Sequence, residues 1–254
     1  MSRRVLVPLP DSGFDPTEAA VPWLALREAG HQIAFATPSG SRAAADPRMV
    51  SGEGLGPWRM VLRADARGRA AHARLVEAGE FASPFPFADP RLSTAESWDA
   101  LVLPGGHDKG MRPYLESERL QRLAADFFAC GKPVAAICHG VLVLARSRDA
   151  RTARPLLRGR RTTALLRSQE LLAWNLTRLW LGDYYRTYPE TVEDEVRACQ
   201  AGEGEFVAGP MPVLRDAPER LGRGFVVRDG AYLSARWPGD AHRFAAELVA
   251  MLAR

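Results

Sequence analysis

One cysteine in this chain has neighbours that give it chemistry to do. Lys132-Pro133-Val134-Ala135-Ala136-Ile137 reads as a short buried strand. Cys138 follows it directly, and His139-Gly140-Val141-Leu142-Val143-Leu144-Ala145 opens like a helix with no loop residue between. A strand that becomes a helix at one residue forces that residue into a sharp, strained turn and holds its side chain out at the sheet edge, against the helix N-terminus. The helix dipole and nearby backbone N–H groups push a thiol there toward thiolate, which predicts a nucleophile. The His139 N–H would stabilise an oxyanion formed beside it, whatever the imidazole does. The competing reading of Cys138 is a small buried core thiol.

Placing such a residue takes alternating strands and helices. Val5–Val7 reads as a strand ending at Pro8, followed by a helix from Pro16 to Ala29 with Asp15 as N-cap and Gly30 beyond its end. Gln32–Thr37 and Trp98–Leu103 read as further strands, Ser117 caps a helix running to Cys130, and a strand is expected near Thr162–Leu166. A helix from Gln169 to Leu181 comes next, and Thr191-Val192-Glu193-Asp194 resembles a capping box opening another that Gly202 ends. Phe225–Ser234, turning at Asp229-Gly230, predicts a hairpin, and the last helix runs from about Asp240 to Leu252. The expected fold is α/β: a doubly wound, mainly parallel sheet with helices on both faces and a C-terminal β-hairpin. Residues 1–254 read as a single domain, with an inserted cap region at about 41–95 and a helical cap segment at about 168–210. Ligands of such sheets bind beyond the carboxyl ends of the strands. That rule gathers Asp11 to Glu18, the Gly105-Gly106-His107 turn and Cys138 around one pocket.

Composition narrows the rest. The 254 residues are 46% hydrophobic and 25% charged, with formal net charge +4, as in an ordinary globular protein. No apolar run is long enough for a membrane span, and the start Met1–Pro8 is too short in apolar residues for a signal peptide. Three cysteines, Cys130, Cys138 and Cys199, show no paired spacing, so a reducing cytoplasm is expected and a disulfide framework is not. His31, His72 and His242 are scattered, and no metal site is expected. The basic stretch from Arg146 to Arg161 lacks interleaved aromatics and reads as a solvated loop rather than a nucleic-acid surface. Trp174 and Trp180 with their leucines mark a helix that packs in the core or in a dimer interface. Tyr184, Tyr185 and Tyr188 line the pocket or pack the cap. His107 stands between pocket lining and loop surface.

At Ala136-Ile137-Cys138-His139-Gly140, Leu103-Pro104-Gly105-Gly106-His107 and Thr17-Glu18-Ala19 the chain resembles the ThiJ/PfpI superfamily of the class I glutamine amidotransferase-like fold. The closing stretch from Asp229 to Asp240 resembles the family's last hairpin and helix. The Gly-Gly-His and Cys-His-Gly forms are similar to the chaperone and glyoxalase III branch. The resemblance implies that Glu18 is a carboxylic acid hydrogen-bonded to the reactive sulfur and that Gly105 and Gly106 border a backbone oxyanion site. It also implies a homodimer. A carboxylate orienting the histidine would fall near Arg167, which cannot serve, with Glu170 close by. The candidate site is therefore Cys138, Glu18 and His139 as catalytic residues, with Gly105, Gly106, His107 and Gly140 around the oxyanion and substrate.

The function expected is that of a cysteine enzyme needing no cofactor and acting on a small carbonyl or amide compound, in the manner of a glyoxalase III or an amidohydrolase. A depressed thiol pKa beside an elevated carboxyl pKa is its expected physical core. The alternative is an oxidative-stress sensor or holdase chaperone acting through Cys138. A glutamine amidotransferase fits least, because no His-x-Glu occurs in the chain.

Overall fold

The computed structural model describes residues 1–200, 202 and 205–253. Seven strands form the main sheet: β1 (Arg4–Pro8), β2 (Gln32–Thr37), β3 (Phe85–Pro86), β4 (Ala100–Leu103), β5 (Val134–Ile137), β6 (Val226–Asp229) and β7 (Tyr232–Ala235). Their order across the sheet is β6-β7-β5-β4-β1-β2-β3. Every neighbouring pair is parallel except the β6–β7 hairpin. Because β4 and β5 are buried along their whole length, they read as continuous apolar runs without alternation.

Seven of the helices are α1 (Pro16–Glu28), α2 (Ala66–Val76), α3 (Glu118–Ala129), α4 (Val141–Arg146), α5 (Arg167–Leu181), α6 (Val192–Gln200) and α7 (Ala241–Leu252). Helix α1 packs against α2 and α7, whereas α4 packs against α3 and α6. Asp15 caps α1, Pro16 holds its first position, and Ser117 caps α3, as the sequence predicts. No helix among the described residues is long and apolar enough to cross a membrane.

The segment 41–95 contributes the edge strand β3, helix α2, and Phe81, whose ring meets Phe35 edge-on at 5.2 Å. In segment 168–210, residues 201, 203 and 204 lie outside the described residues. The stretch Thr162–Leu166 is not a strand of the main sheet. Only Arg161–Thr162 pairs, with Glu205–Phe206, in a separate two-stranded piece. Its polar groups turn to side chains instead: Thr162 Oγ1 meets the Tyr232 hydroxyl at 2.7 Å, and the Thr163 N–H donates to Ser234 Oγ at 3.0 Å.

Candidate active site

Cys138 stands at the junction the sequence predicts. Strand β5 ends at Ile137, a 3-10 turn covers Cys138–Gly140, and α4 begins at Val141. The Cys138 backbone holds φ at +59°, a left-handed conformation that costs a side-chain-bearing residue ~1–2 kcal/mol. Gly140 gives the turn room, since a Cβ there would collide with the Leu103 carbonyl oxygen and lie 2.7 Å from that of Pro104. Its contribution is space, which lets the Cys138 turn press on the end of β4.

Glu18 arrives from the first turn of α1. Asp15 accepts the N–H groups of Thr17 at 2.8 Å and Glu18 at 3.0 Å, fixing the helix start. The Asp15 N–H donates to the Gly105 carbonyl at 2.8 Å, and the Gly105 N–H donates to Glu18 Oε2 at 2.9 Å. These two bonds clamp α1 to the turn after β4. The Glu18 carboxyl also reaches the Cys138 thiol, while its Oε1 is buried without a nitrogen or oxygen partner.

Burial sets the electrostatics. It pushes the Glu18 carboxyl well above the ordinary range, the Asp15 charge adds to the push, and hydrogen bonds with Cys138 and Gly105 oppose it. Burial also raises Asp15 to about 6, against the N–H groups of Glu18 and Thr17 that favour its charge. The thiol is pushed up as well, by burial first and then by the charges of Glu18 and Asp15, against a hydrogen bond from the His139 N–H. The expected downward shift of the thiol therefore does not hold. The helix that begins here has only 6 residues, the sulfur has no exposed surface, and two acids shape its field, so desolvation and like charge outweigh the dipole. Burial and like charge raise Cys138 and Glu18 together, which favours the neutral form of each.

His139 Nδ1 lies 3.5 Å from Cys138 Sγ. Burial pushes this imidazole well below its usual range, with His107 and the Arg146 charge adding to the effect, so it is a neutral base rather than a cation. His107 packs edge-on to it at 5.1 Å between ring centres, and Tyr185 packs edge-on to His107 at 5.0 Å. His107 is buried, lines the pocket, and is lowered to about 4 by that burial. Among the described residues no carboxylate hydrogen-bonds His139. Glu170 accepts the Val192 N–H at 3.0 Å and pairs with Arg186 at 3.5 Å, and Arg167 binds Glu193 and Asp194. The site is a Cys–His pair and a Cys–Glu pair sharing one sulfur.

The glycine turn divides its work. Gly105 is not an oxyanion donor, because its N–H is committed to Glu18. The Gly106 N–H has no partner among the described residues. It is the donor this turn leaves free, while the His139 N–H rests on the sulfur itself. His107, Cys138 and His139 each offer a ligand atom within 4.8 Å of the others, a soft thiol with two neutral imidazoles suited to zinc or copper(I) rather than magnesium.

Three contributors escape sequence reasoning. Asp15 looks like any N-cap yet is the second buried acid of the site. Tyr185 covers His107, and a run of three tyrosines was its only signal. Arg215 lies in a stretch without periodicity, yet its charge acts on both Asp15 and Glu18.

Residues 9–198, which span Glu18, Gly105, His107 and Cys138, match the family model described as ThiJ/PfpI family-like. The chain belongs to the ThiJ/PfpI family. It is 33% identical over 142 residues to an uncharacterized protein of Schizosaccharomyces pombe, covering 56% of this chain and 50% of that one. It is 29% identical over 157 residues to a deglycase of Pyrococcus abyssi, covering 62% and 64% respectively. The chain thus spans between half and two thirds of the length of these ThiJ/PfpI relatives. Its fold matches the crystal structure of glyoxalase III from Candida albicans with TM-score 0.63 at 18% identity, over 98% of this chain and 97% of that one.

Proposed function

We propose that this ThiJ/PfpI protein is a cofactor-independent cysteine enzyme acting on reactive carbonyl compounds, with acyl transfer on amides open to the same residues. The observation that carries this reading is the clamp itself. One backbone N–H of Gly105 holds a protonated Glu18 against a thiol that stands on a strained turn beside a neutral histidine. The deglycase relative and the fold shared with a glyoxalase III support it.

With a 2-oxoaldehyde the step balances within the site. Sγ bonds to the aldehyde carbon, its proton passes to His139 Nδ1, and Glu18 protonates the carbonyl oxygen, which the Gly106 N–H steadies. The ionised Glu18 then takes the proton from that carbon. The electron pair shifts to the neighbouring carbonyl, whose oxygen takes the proton held by His139, giving an enediol. Glu18 delivers its proton to the second carbon and recovers one from the first hydroxyl, leaving a thioester that water cleaves to a 2-hydroxy acid. The aldehyde carbon is oxidised as its neighbour is reduced, so no external oxidant enters. A sensor or holdase role draws less support, because oxidation follows exposure and thiolate character, and this sulfur is buried and neutral. Turnover of methylglyoxal and simple amides by wild type, Cys138→Ala and Glu18→Gln tests the reading. Loss in both variants supports it, and unchanged rates in both overturn it.

A further inference from the structure

Beside the Cys138 site lies a cavity far larger than the smallest 2-oxoaldehydes need. The cavity holds about 620 Å³, within the ~300–1,000 Å³ of pockets that enclose drug-sized ligands. Its inner wall includes His107, Asp15 and Tyr185, which pack around Cys138, Glu18 and His139, so it borders the reaction centre. Its other walls are mostly apolar, with Met49, Leu165, Leu172, Ala173, Leu176 and Trp237 among the lining side chains. Ser168, Gln169 and Arg215 are the polar side chains among them. Arg215 lies over the Trp237 ring at 5.2 Å, Nη2 donates to the Arg63 carbonyl at 3.2 Å, and Nη1 is buried with no partner.

A methyl group or a hydrogen beside the dicarbonyl would leave this apolar wall bare. An aromatic ring or an alkyl chain would cover it, and a substrate oxygen would meet the orphaned Arg215 donor. Burying such a group removes apolar surface from water on both partners, and a buried donor left unmet weighs against a ligand without an acceptor.

We propose that the substrate is a 2-oxoaldehyde with an apolar body, an aromatic ring or a medium alkyl chain seated against the Leu172–Leu176 wall, released as the corresponding 2-hydroxy acid. This deepens the carbonyl-enzyme reading and rests on it. Apolar pockets discriminate by roughly 10–200-fold per substituent of this kind, so kcat/KM for phenylglyoxal exceeds that for methylglyoxal by at least about tenfold.

The test measures release of the 2-hydroxy acid by NMR for both compounds with wild type, Leu176→Trp and Leu172→Arg. Leu172 is 59% exposed, so a charge there leaves the core intact and is the safeguard should the tryptophan variant misfold. The expected result is a phenylglyoxal preference in wild type that falls toward unity in both variants, with methylglyoxal turnover retained. A wild-type preference absent or reversed, or one that neither variant moves, overturns the apolar-body proposal and leaves the carbonyl reading standing. Failure of wild type on both compounds overturns that reading itself, and the proposal with it.

Discussion

Gly105→Ala is the perturbation whose consequence can be worked furthest from geometry. A Cβ built on Gly105 lies 2.7 Å from Glu18 Oε2, 2.7 Å from the His139 nitrogen and 2.9 Å from Cys138 Cβ, whereas ordinary contact begins at 3.4 Å. The neighbours must therefore give by about 0.7 Å, and two of the three atoms belong to the Cys138 turn itself. A misplacement of ~1 Å costs on the order of 100-fold in rate, so kcat/KM falls by roughly 10–100-fold. Overpacking a tight core costs ~1–3 kcal/mol, and for a chain of this size each kcal/mol lowers Tm by about 2–4 °C. Gly79→Ala is the matched control, because a Cβ there meets nothing within 4 Å. Steady-state kinetics with phenylglyoxal and thermal melts of both variants make the measurement. A Gly105→Ala enzyme with wild-type rate and Tm would refute the clamp, because it would show that Glu18 and the turn need no bare backbone between them.

Further outcomes follow from the same structure. Between about pH 7 and 8 the melting temperature falls as pH rises, because burial raises Glu170 and Asp216 to about 7 and Glu18 well above its usual value, so the folded state holds protons the unfolded chain has lost. The lowered histidines oppose this only up to about pH 7, while the unfolded chain still binds protons near their ordinary 6.5; a flat or rising melt from about pH 7 to 8 contradicts the burial argument. Cys138→Gly is more stable than Cys138→Ala by ~1–2 kcal/mol in chemical denaturation, the reverse of the usual ranking, because φ +59° suits glycine. Micromolar zinc inhibits turnover, EDTA restores it, and His107→Ala raises the concentration required, since His107 completes the soft cluster with Cys138 and His139. Arg236→Met leaves Asp240 uncompensated and strands the carbonyls of Ala208 and Pro210, costing ~3–5 kcal/mol by denaturant titration.

What the sequence made legible was local. A strand running straight into Cys-His-Gly leaves the chain one way to turn, and a cap followed by proline starts α1 at one place, so Cys138 and Glu18 could be brought together before any coordinates. Features decided by packing across the fold were not legible. The thiol's electrostatics depended on a second acid, and an N-cap aspartate has the same sequence signature whether exposed or, like Asp15, buried. Thr162–Leu166 has strand-like residues, but Thr162 pairs in the separate two-stranded piece, and its hydroxyl and the Thr163 N–H go to Tyr232 and Ser234 side chains from the hairpin rather than into the main sheet. The third acid could not be placed by alignment because Glu170 is held by Val192 and Arg186, partners supplied by the cap segment. The same holds for Arg215, whose neighbours are brought to it only when the chain closes over the pocket.

The central claim is that Glu18 moves the protons of a reaction carried covalently on Cys138. Rapid-quench mass spectrometry of wild type, Glu18→Gln and Cys138→Ala mixed with a 2-oxoaldehyde addresses it most directly. The account predicts product from wild type, a substrate adduct on Cys138 that stalls in Glu18→Gln, and neither adduct nor product in Cys138→Ala. Product formed at the wild-type rate by Cys138→Ala would contradict it.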